Sequence, residues 1–399
     1  IVELGGLIVW ICWLARAPFV WKTFIAAFRQ PLWIAILLLF AWAVASLAWT
    51  SSTERGWAEI ANIRWIWAAF VLLPVLDRRE LLVRALAVGF AIAGLAQVLE
   101  VLGIVTFSHP PIEPGSPVRY SGWWHQPAVG GAMLAAAGGL HTPVVVFGRG
   151  RLRWFAAAGL ALAVWGLVMT GTRSAWISAA AVVGIVVWLR LASRFGAAKS
   201  IAVVAAAALL FALAGWFAIG ERGRERVMQG AREVQRAVVH GEYGTDTGDR
   251  LALMAFGVEA FAERPIRGLG AGGYRDWCEA QALGTNVRTQ NQAHNMSIHA
   301  AATLGIVGVA ILAAITIFAL LNAAATASGA MGRYESGILF ALLALLVQSM
   351  FDTVYVNGAT AALVLTLMGV SGRWTMSLKG TEGRRDGGTQ WRRQEVSQR

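Results

Sequence analysis

A long polar interruption at residues 221–295 divides a chain that otherwise consists of apolar runs, each about 20 residues long, the length that spans a bilayer as a helix. The chain is 57% hydrophobic and only 14% charged, whereas soluble domains carry about 25% charged residues. Lipid offers no partners to backbone N–H and C=O groups, so a spanning run must form a helix. The sequence therefore predicts an all-α, polytopic membrane helix bundle with one long helical loop outside the bilayer.

Eleven apolar runs are predicted to be membrane spans. They lie at residues 5–21, 31–50, 61–76, 83–105, 125–147, 153–170, 174–191, 200–219, 296–321, 336–353 and 358–374. The chain begins at Ile1. We expect one further span before it in the complete protein, which would give twelve helices and a cytoplasmic N-terminus.

Positively charged residues set the predicted orientation. Connections on one side of the spans, together with the C-terminal tail, hold most of the 34 lysines and arginines but few of the 22 acidic residues. The positive-inside rule makes that side cytoplasmic and places segment 221–295 outside the cytoplasm. The net charge of +12 therefore reports membrane topology, not a nucleic-acid partner. The basic tail could also contact anionic membrane lipids.

Four parts are predicted: N-terminal transmembrane helices at 1–219, an outer loop with amphipathic helices at 220–295, C-terminal transmembrane helices at 296–375, and a basic cytoplasmic tail at 376–399. The composition of the tail predicts disorder. Within the loop, segment 222–240 has an apolar stripe and many arginines. It is predicted to lie on the membrane or over a cleft, where it could gather an anionic lipid-linked substrate; a solvated lid helix is the alternative.

The turn Thr170–Trp176, with the sequence TGTRSAW, connects two predicted spans. Thr172 is placed to cap the following helix, and Arg173 falls in the first turn of that helix. Free backbone N–H groups and a guanidinium together make a site for an anion. The alternative is an arginine that only extends to the lipid–water interface.

A second arginine motif, Gly248–Leu251, lies in the outer loop. Asp249 or Thr247 is predicted to cap a helix that runs to about Glu263. Arg250 would then stand at the start of this helix as another phosphate ligand. The alternative is a surface ion pair between Arg250 and a neighbouring aspartate.

Glycines recur in the stretch Arg264–Tyr274 with a spacing that suggests a dinucleotide-binding loop. No strand–helix–strand unit surrounds them, so that hypothesis fails. Pro265 is predicted to end the preceding helix, and the glycines to form a tight irregular loop near the membrane surface.

His294 is the candidate general base. It stands where the outer loop returns to the membrane, and a neutral imidazole can take a proton from a hydroxyl near neutral pH. Asn295 is predicted to cap the span that starts at Met296. Asp352, at the outer end of a later span, could orient a base or pair with an arginine. A structural or merely exposed histidine is the alternative for His294. Since the His and Cys residues are scattered, we expect no metal site and no cofactor.

Taken in order, these motifs resemble the O-antigen ligase family. The turn Thr170–Trp176 is similar to the family's Gly-x-Arg-Ser turn. Three further matches follow along the chain: Gly248-x-Arg250-Leu251, Pro265-x-x-Gly268-x-Gly270, and His294-Asn295 leading into Leu304-Gly305-x-x-Gly308. The resemblance covers about residues 120–360. One departure is Gln126-Pro127, where many relatives have an Asn near a proline, so His125 and Gln126 have no assigned role.

The resemblance implies a GT-C-like fold in the bacterial inner membrane, with metal-independent, inverting glycosyl transfer on the periplasmic side. The donor would be a glycan on undecaprenyl diphosphate, and the acceptor a sugar hydroxyl of lipid A–core during lipopolysaccharide biosynthesis. By position, His294 matches the family's catalytic histidine, while Arg173 and Arg250 match the arginines that hold the diphosphate. Asp352 matches an acid in the late spans.

Three other functions fit parts of the pattern. An O-antigen polymerase would join repeat units instead of transferring a finished chain. A protein O-oligosaccharyltransferase would often add a C-terminal domain, for which this tail is too short. A lipid or glycan transporter would show inverted repeats and broken helices around a midplane site. The sequence predicts neither feature, and its candidate residues cluster on one face of the membrane.

Overall fold

The computed structural model describes residues 11–61, 71–107, 119–124, 126–218, 220–354 and 358–371. All regular structure in these ranges is helical and none of it is strand, which confirms that the fold is all-α. The main helices are α1 (Ala17–Ala27), α2 (Pro31–Ser46), α3 (Thr53–Ile60), α4 (Arg79–Val101), α5 (Pro127–Phe147), α6 (Gly150–Thr170), α7 (Arg173–Phe195), α8 (Ala197–Ala218), α9 (Gly220–Gln235), α10 (Asp246–Glu263), α11 (Gly273–Gln281), α12 (Met296–Ser328), α13 (Tyr334–Ser349) and α14 (Gly358–Ser371).

Five helical segments are long and apolar enough to cross a membrane: Leu73–Val101, which includes a leading 3-10 turn, and helices α5, α6, α7 and α12. Helices α1 and α2, bent by 74° at their junction, would together count as a sixth. Helices α13 and α14 are apolar but shorter. The described residues therefore support a multi-pass membrane protein, while the count of eleven spans stays a prediction.

Some helices end at residues other than the predicted span ends, and some predicted segments lie outside the described residues. Helix α1 runs to Ala27, beyond the predicted span end at residue 21, and α13 ends at Ser349 instead of 353. Residues 62–70, most of one predicted span, lie outside the described residues, as does the tail 376–399.

Helix α5 forms the centre of the bundle. It is buried along almost its whole length and packs against α6, α7 and α13. Small residues allow this approach: a Cβ added at Gly139 would clash with the backbone of Phe340 on α13, and one at Gly337 would clash with the backbone of Leu140. Close backbone contact through small residues is the usual way for helices to associate in lipid.

The outer loop is helical, as the sequence predicts. Helix α9 continues into a π-helical turn at Arg236–His240, and α10 and α11 follow. A small core of buried side chains, including Leu253 and Tyr274, joins α10 and α11 to the start of α12. Buried side chains therefore hold the outer loop against the start of α12.

Helix α12 is broken at Gly305, where φ is 67° and ψ is −166°. The span predicted at 296–321 lies within this membrane-capable helix, but the sequence did not predict the break. The break frees backbone groups that the glycine loop, residues 264–272, then pairs. Leu269 N–H donates to Ala302 O and Gly270 N–H to Thr303 O, both at 2.8 Å, while Ile306 N–H donates to Pro265 O at 2.8 Å. Pairing of this kind is required wherever a helix opens away from bulk water.

Replacing Gly305 by alanine should destabilise the protein by about 2 kcal/mol or more, because left-handed strain and overpacking each cost roughly 1–3 kcal/mol. The added Cβ would overlap the backbone of Ile266. Gly89→Ala in α4 is the matched control, since a Cβ there meets nothing within 4 Å. Thermal unfolding in detergent should show a lower midpoint for Gly305→Ala only. Equal midpoints for the two variants would contradict this packing of the break.

Candidate active site

His294 is held between two polar side chains. Its Nε2 lies 2.8 Å from Gln290 Oε1, and its Nδ1 lies 3.6 Å from Asp352 Oδ1, just beyond hydrogen-bond length. The residue is 6% exposed. Its φ of 50° is the only positive value for a non-glycine residue in the described ranges. Strained backbone of this kind concentrates at functional sites, which gives His294 a reason beyond its residue type to be considered functional.

The residue after His294 starts the next helix as predicted. Asn295 is the N-cap of α12, and its side-chain oxygen accepts a hydrogen bond from Ile298 N–H at 3.0 Å. Its Nδ2 also donates to Met350 O at 2.9 Å. The cap therefore joins the start of α12 to the turn that follows α13.

Asp352 lies in that turn, beyond the last helical residue of α13. Burial acts to raise the pKa of its carboxyl group, but the neighbouring His294, the positive charge of Arg250 and the backbone N–H of Thr353 outweigh burial. The pKa of Asp352 therefore lies below its ordinary value, and the group stays ionised. An ionised carboxylate beside a histidine is the arrangement that orients a general base.

Arg250 stands in the first turns of α10, but the predicted cap was wrong. Thr245 is the N-cap, and its hydroxyl accepts from Gly248 N–H at 3.0 Å. The helix does end at Glu263, close to where the sequence placed its end. Arg250 is half-buried and interacts electrostatically with Asp352.

Asp249 has a role that the sequence did not reveal. Its buried carboxylate accepts hydrogen bonds from Arg288 Nε at 2.7 Å and Arg288 N–H at 3.2 Å, and Arg288 also bonds Asp246 at 2.6 Å. The predicted alternative, a pair between Arg250 and one of these aspartates, is therefore wrong. Both aspartates instead fasten the segment before His294 to the start of α10.

Arg173 is the first residue of α7 and contacts the outer loop. Its guanidinium donates to Thr247 Oγ1 at 3.4 Å, and that hydroxyl donates to Glu233 Oε2 on α9 at 2.6 Å. Helix α9 also places Gly230 directly against Nη1 of Arg173. Thr247 and Arg250 are three residues apart and therefore lie on one side of α10. Through its contact with Thr247, Arg173 reaches the side of α10 that carries Arg250.

Thr172 holds the N-cap position of α7 but does not cap the helix with its side chain. Its hydroxyl donates to Pro127 O at 2.8 Å and accepts from Arg119 at 3.0 Å. The predicted capping role is therefore wrong. Thr172 instead ties the turn that carries Arg173 to the start of α5.

Gln348 joins this turn to the Asp352 turn. It is buried in α13, donates to Ser174 Oγ at 3.0 Å and accepts from Ser178 Oγ at 3.3 Å. No motif predicts Gln348, although a glutamine within an apolar span is itself a signal of a functional or paired polar group. No sequence signal of comparable strength distinguishes Gln290 or Gly230.

The structure thus combines four predicted site residues around the start of α10. Asp352 interacts with both His294 and Arg250, while Arg173 meets the same helix at Thr247. Within the described ranges, no three His, Cys, Asp or Glu side chains meet as a metal site. A base with an orienting carboxylate, next to two guanidiniums, is suited to group transfer from an anionic leaving group.

The described fold is that of a multi-pass helical membrane protein, and its candidate site brings a histidine, a carboxylate and two arginines to the start of α10. In the comparison with family models, residues 158–313 match the model described as O-antigen ligase. The match supports the O-antigen ligase family predicted from the motifs, and it contains Arg173, Arg250 and His294. The family supports a glycosyltransferase-like function of the O-antigen ligase or polymerase type. No curated protein matches the chain.

Gly230→Ala should weaken anion binding without unfolding the protein, because the added Cβ would overlap only the mobile end of Arg173. Displacing one charge-assisted hydrogen bond costs about 1.5–3 kcal/mol, or roughly tenfold or more in Kd. Calorimetric titration with inorganic pyrophosphate would measure the effect. Met228→Ala, an exposed position on α9, is the control. Equal Kd values for both variants would show that α9 does not set the position of Arg173.

Asp352→Asn should lower the unfolding midpoint at pH 7, and the difference from the wild type should shrink as the pH falls. The pKa of Asp352 is depressed in the folded protein, so its contribution to stability is present above the ordinary carboxyl pKa and is lost as the pH falls through the folded value. Thermal unfolding in detergent between neutral and acidic pH tests this. A difference that stays constant or grows on acidification would contradict the assigned environment of Asp352.

Proposed function

We propose that the protein is an O-antigen ligase, which transfers a glycan from undecaprenyl diphosphate to a sugar hydroxyl of lipid A–core. The observation that carries this proposal is the contact between His294 and ionised Asp352, next to Arg250, in a chain that matches the ligase family. From the sequence alone, His294 could also be a structural histidine instead of a base. The short distance to a carboxylate and the strained backbone favour a base.

In the proposed reaction His294 acts as the general base. Nδ1 faces Asp352, which leaves Nε2 to take the proton from the acceptor hydroxyl. The acceptor oxygen then forms a bond to the anomeric carbon of the donor while the bond from that carbon to the diphosphate oxygen breaks. Undecaprenyl diphosphate leaves with the electron pair, and the proton stays on His294. Attack opposite the leaving group inverts the anomeric configuration.

Arg173 and Arg250 are proposed to hold the diphosphate. Negative charge on the leaving group grows as the anomeric bond breaks, and two guanidiniums at a fixed position stabilise that charge without a metal. Arg173 also stands at the N-terminus of α7, where the helix dipole adds positive potential. The donor is already activated by its diphosphate, so the reaction requires no nucleotide.

The proposed site faces the periplasm of the bacterial inner membrane. The distribution of lysines and arginines supports this orientation, with segment 220–295 outside and the tail 376–399 in the cytoplasm. Helices 1–219 and 296–375 would form the membrane part, in the GT-C-like arrangement that the resemblance implies. Donor and acceptor both reach such a site along the membrane, which fits a catalytic residue at the exit of the outer loop.

A transporter is the competing function from another class, and one argument against it no longer holds. Helix α12 is broken, although the sequence predicts no broken helix. The carbonyls freed at the break are bonded to Leu269, Gly270 and Trp42, so they do not offer an open ion or substrate site. The clustering of a base, a carboxylate and two arginines favours catalysis.

His294→Ala should reduce glycan transfer by about 10²–10⁴-fold, the usual contribution of a general base. Arg173→Ala and Arg250→Ala should each cost about 10²–10³-fold, comparable to the loss of one donor that stabilises developing charge. Transfer from undecaprenyl diphosphate glycan to lipid A–core by purified protein is the measurement. His240→Ala, at an exposed histidine of the same outer loop, is the control. Full activity of His294→Ala would refute the mechanism.

A further inference from the structure

The segment before α12 is fastened to its surroundings at four described places. Arg288 bonds Asp249 on α10, and Thr289 O accepts a hydrogen bond from Arg275 Nη1 on α11 at 3.2 Å. Gln292 accepts a hydrogen bond from Thr353 Oγ1, and Asn295 donates to Met350 O. Each of these contacts joins the segment to another part of the backbone or to a fixed side chain. Together they set the position of everything between Arg288 and Asn295.

Gln290, in the same segment, contacts His294. Among the described residues, its side-chain hydrogen bond joins Oε1 to Nε2 of His294 at 2.8 Å. Nε2 is the nitrogen that the proposed reaction uses, since Nδ1 faces Asp352. An uncharged side chain therefore occupies the position that the acceptor hydroxyl must take.

The chemistry of an amide suits this position. The structure places the amide oxygen of Gln290 against Nε2. When His294 carries its proton on Nδ1, Nε2 presents a lone pair, and the amide must turn to donate its NH2 group to it. Once Nε2 carries a proton, the amide oxygen accepts instead. Rotation about the last side-chain bond exchanges the two groups, so Gln290 can bond Nε2 before and after proton transfer. A carboxylate or a guanidinium could match only one of these states.

We propose that Gln290 is the positioning residue for the acceptor sugar, an inference that rests on the proposed function. Its amide covers Nε2 of His294 when the acceptor is absent. When the acceptor binds, its attacking hydroxyl replaces the amide at Nε2. The amide then forms a hydrogen bond with a neighbouring hydroxyl of the same sugar. A sugar with two adjacent hydroxyls thereby satisfies both the base and the amide, whereas water or a lone alcohol leaves the amide without its partner.

Because Gln290 is uncharged, it is suited to bind the acceptor sugar and not the diphosphate of the donor. Arg173 and Arg250 provide the charge that a diphosphate requires, and an amide adds little to that interaction. Hydroxyl groups are matched by a side chain that both donates and accepts. Sites built to bond a substrate hydroxyl discriminate strongly against ligands that lack it. Loss of Gln290 should therefore affect the acceptor and leave donor binding unchanged.

Steady-state kinetics with rough-type lipopolysaccharide as acceptor test the proposal. Gln290→Ala should raise the acceptor KM about five- to tenfold, the effect of one lost hydrogen bond, with kcat within about twofold and the donor KM unchanged. Asn291→Ala is the matched control, because that neighbouring side chain is exposed and is not one of the contacts that position His294. It should leave the acceptor KM unchanged. A fall in kcat without a change in acceptor KM for Gln290→Ala would overturn the proposal.

A second measurement needs no substrate. Diethyl pyrocarbonate modifies the unprotonated imidazole nitrogen, and mass spectrometry of the peptide carrying His294 gives the rate. Gln290→Ala should speed this modification about fivefold, since the amide no longer covers Nε2, while Asn291→Ala should not. Equal rates for wild type and Gln290→Ala would overturn the proposal. If Gln290→Ala reacts faster but His294→Ala retains full transfer, the cover is real and the proposed function is the part that fails.

Discussion

Pairing of the backbone groups freed at Gly305 is the constraint on which the arrangement of the site depends. A helix that opens within a membrane protein must find new partners for its N–H and C=O groups. Here the glycine loop provides them, with Leu269 and Gly270 donating to the carbonyls before the break. The first segment of α12 is thereby fixed to the outer loop, and His294 stands at its start.

The same constraint explains why the outer loop and the bundle meet where the chemistry is proposed. Arg173 comes from the bundle and Arg250 from the outer loop, and they reach one side of α10. Asp352 comes from the turn after α13 and interacts with both Arg250 and His294. Gln348 joins that turn to the start of α7 through Ser174. Distant parts of the chain thus contribute to the site, and His294 and Arg250 keep Asp352 ionised despite its burial.

Local patterns in the sequence predicted the features that depend on neighbours along the chain. Apolar runs located most helices, and the Asn295 cap and the end of α10 near Glu263 follow from short-range preferences. Features that depend on tertiary partners were missed or wrong. The break at Gly305 requires the glycine loop more than thirty residues away, and Asp249 was assigned as a cap because its partner Arg288 lies far along the chain. Thr172 likewise bonds Pro127 instead of its own helix.

We propose that this protein moves a glycan from a lipid diphosphate onto the core lipid. The most direct measurement gives purified protein one labelled undecaprenyl diphosphate glycan together with two competing acceptors, lipid A–core and a second lipid-linked repeat unit. We expect label on lipid A–core, with release of undecaprenyl diphosphate in equal amount. Label only in lengthened lipid-linked chains would identify a polymerase, and movement of the intact donor across the membrane without any release of undecaprenyl diphosphate would contradict catalysis altogether.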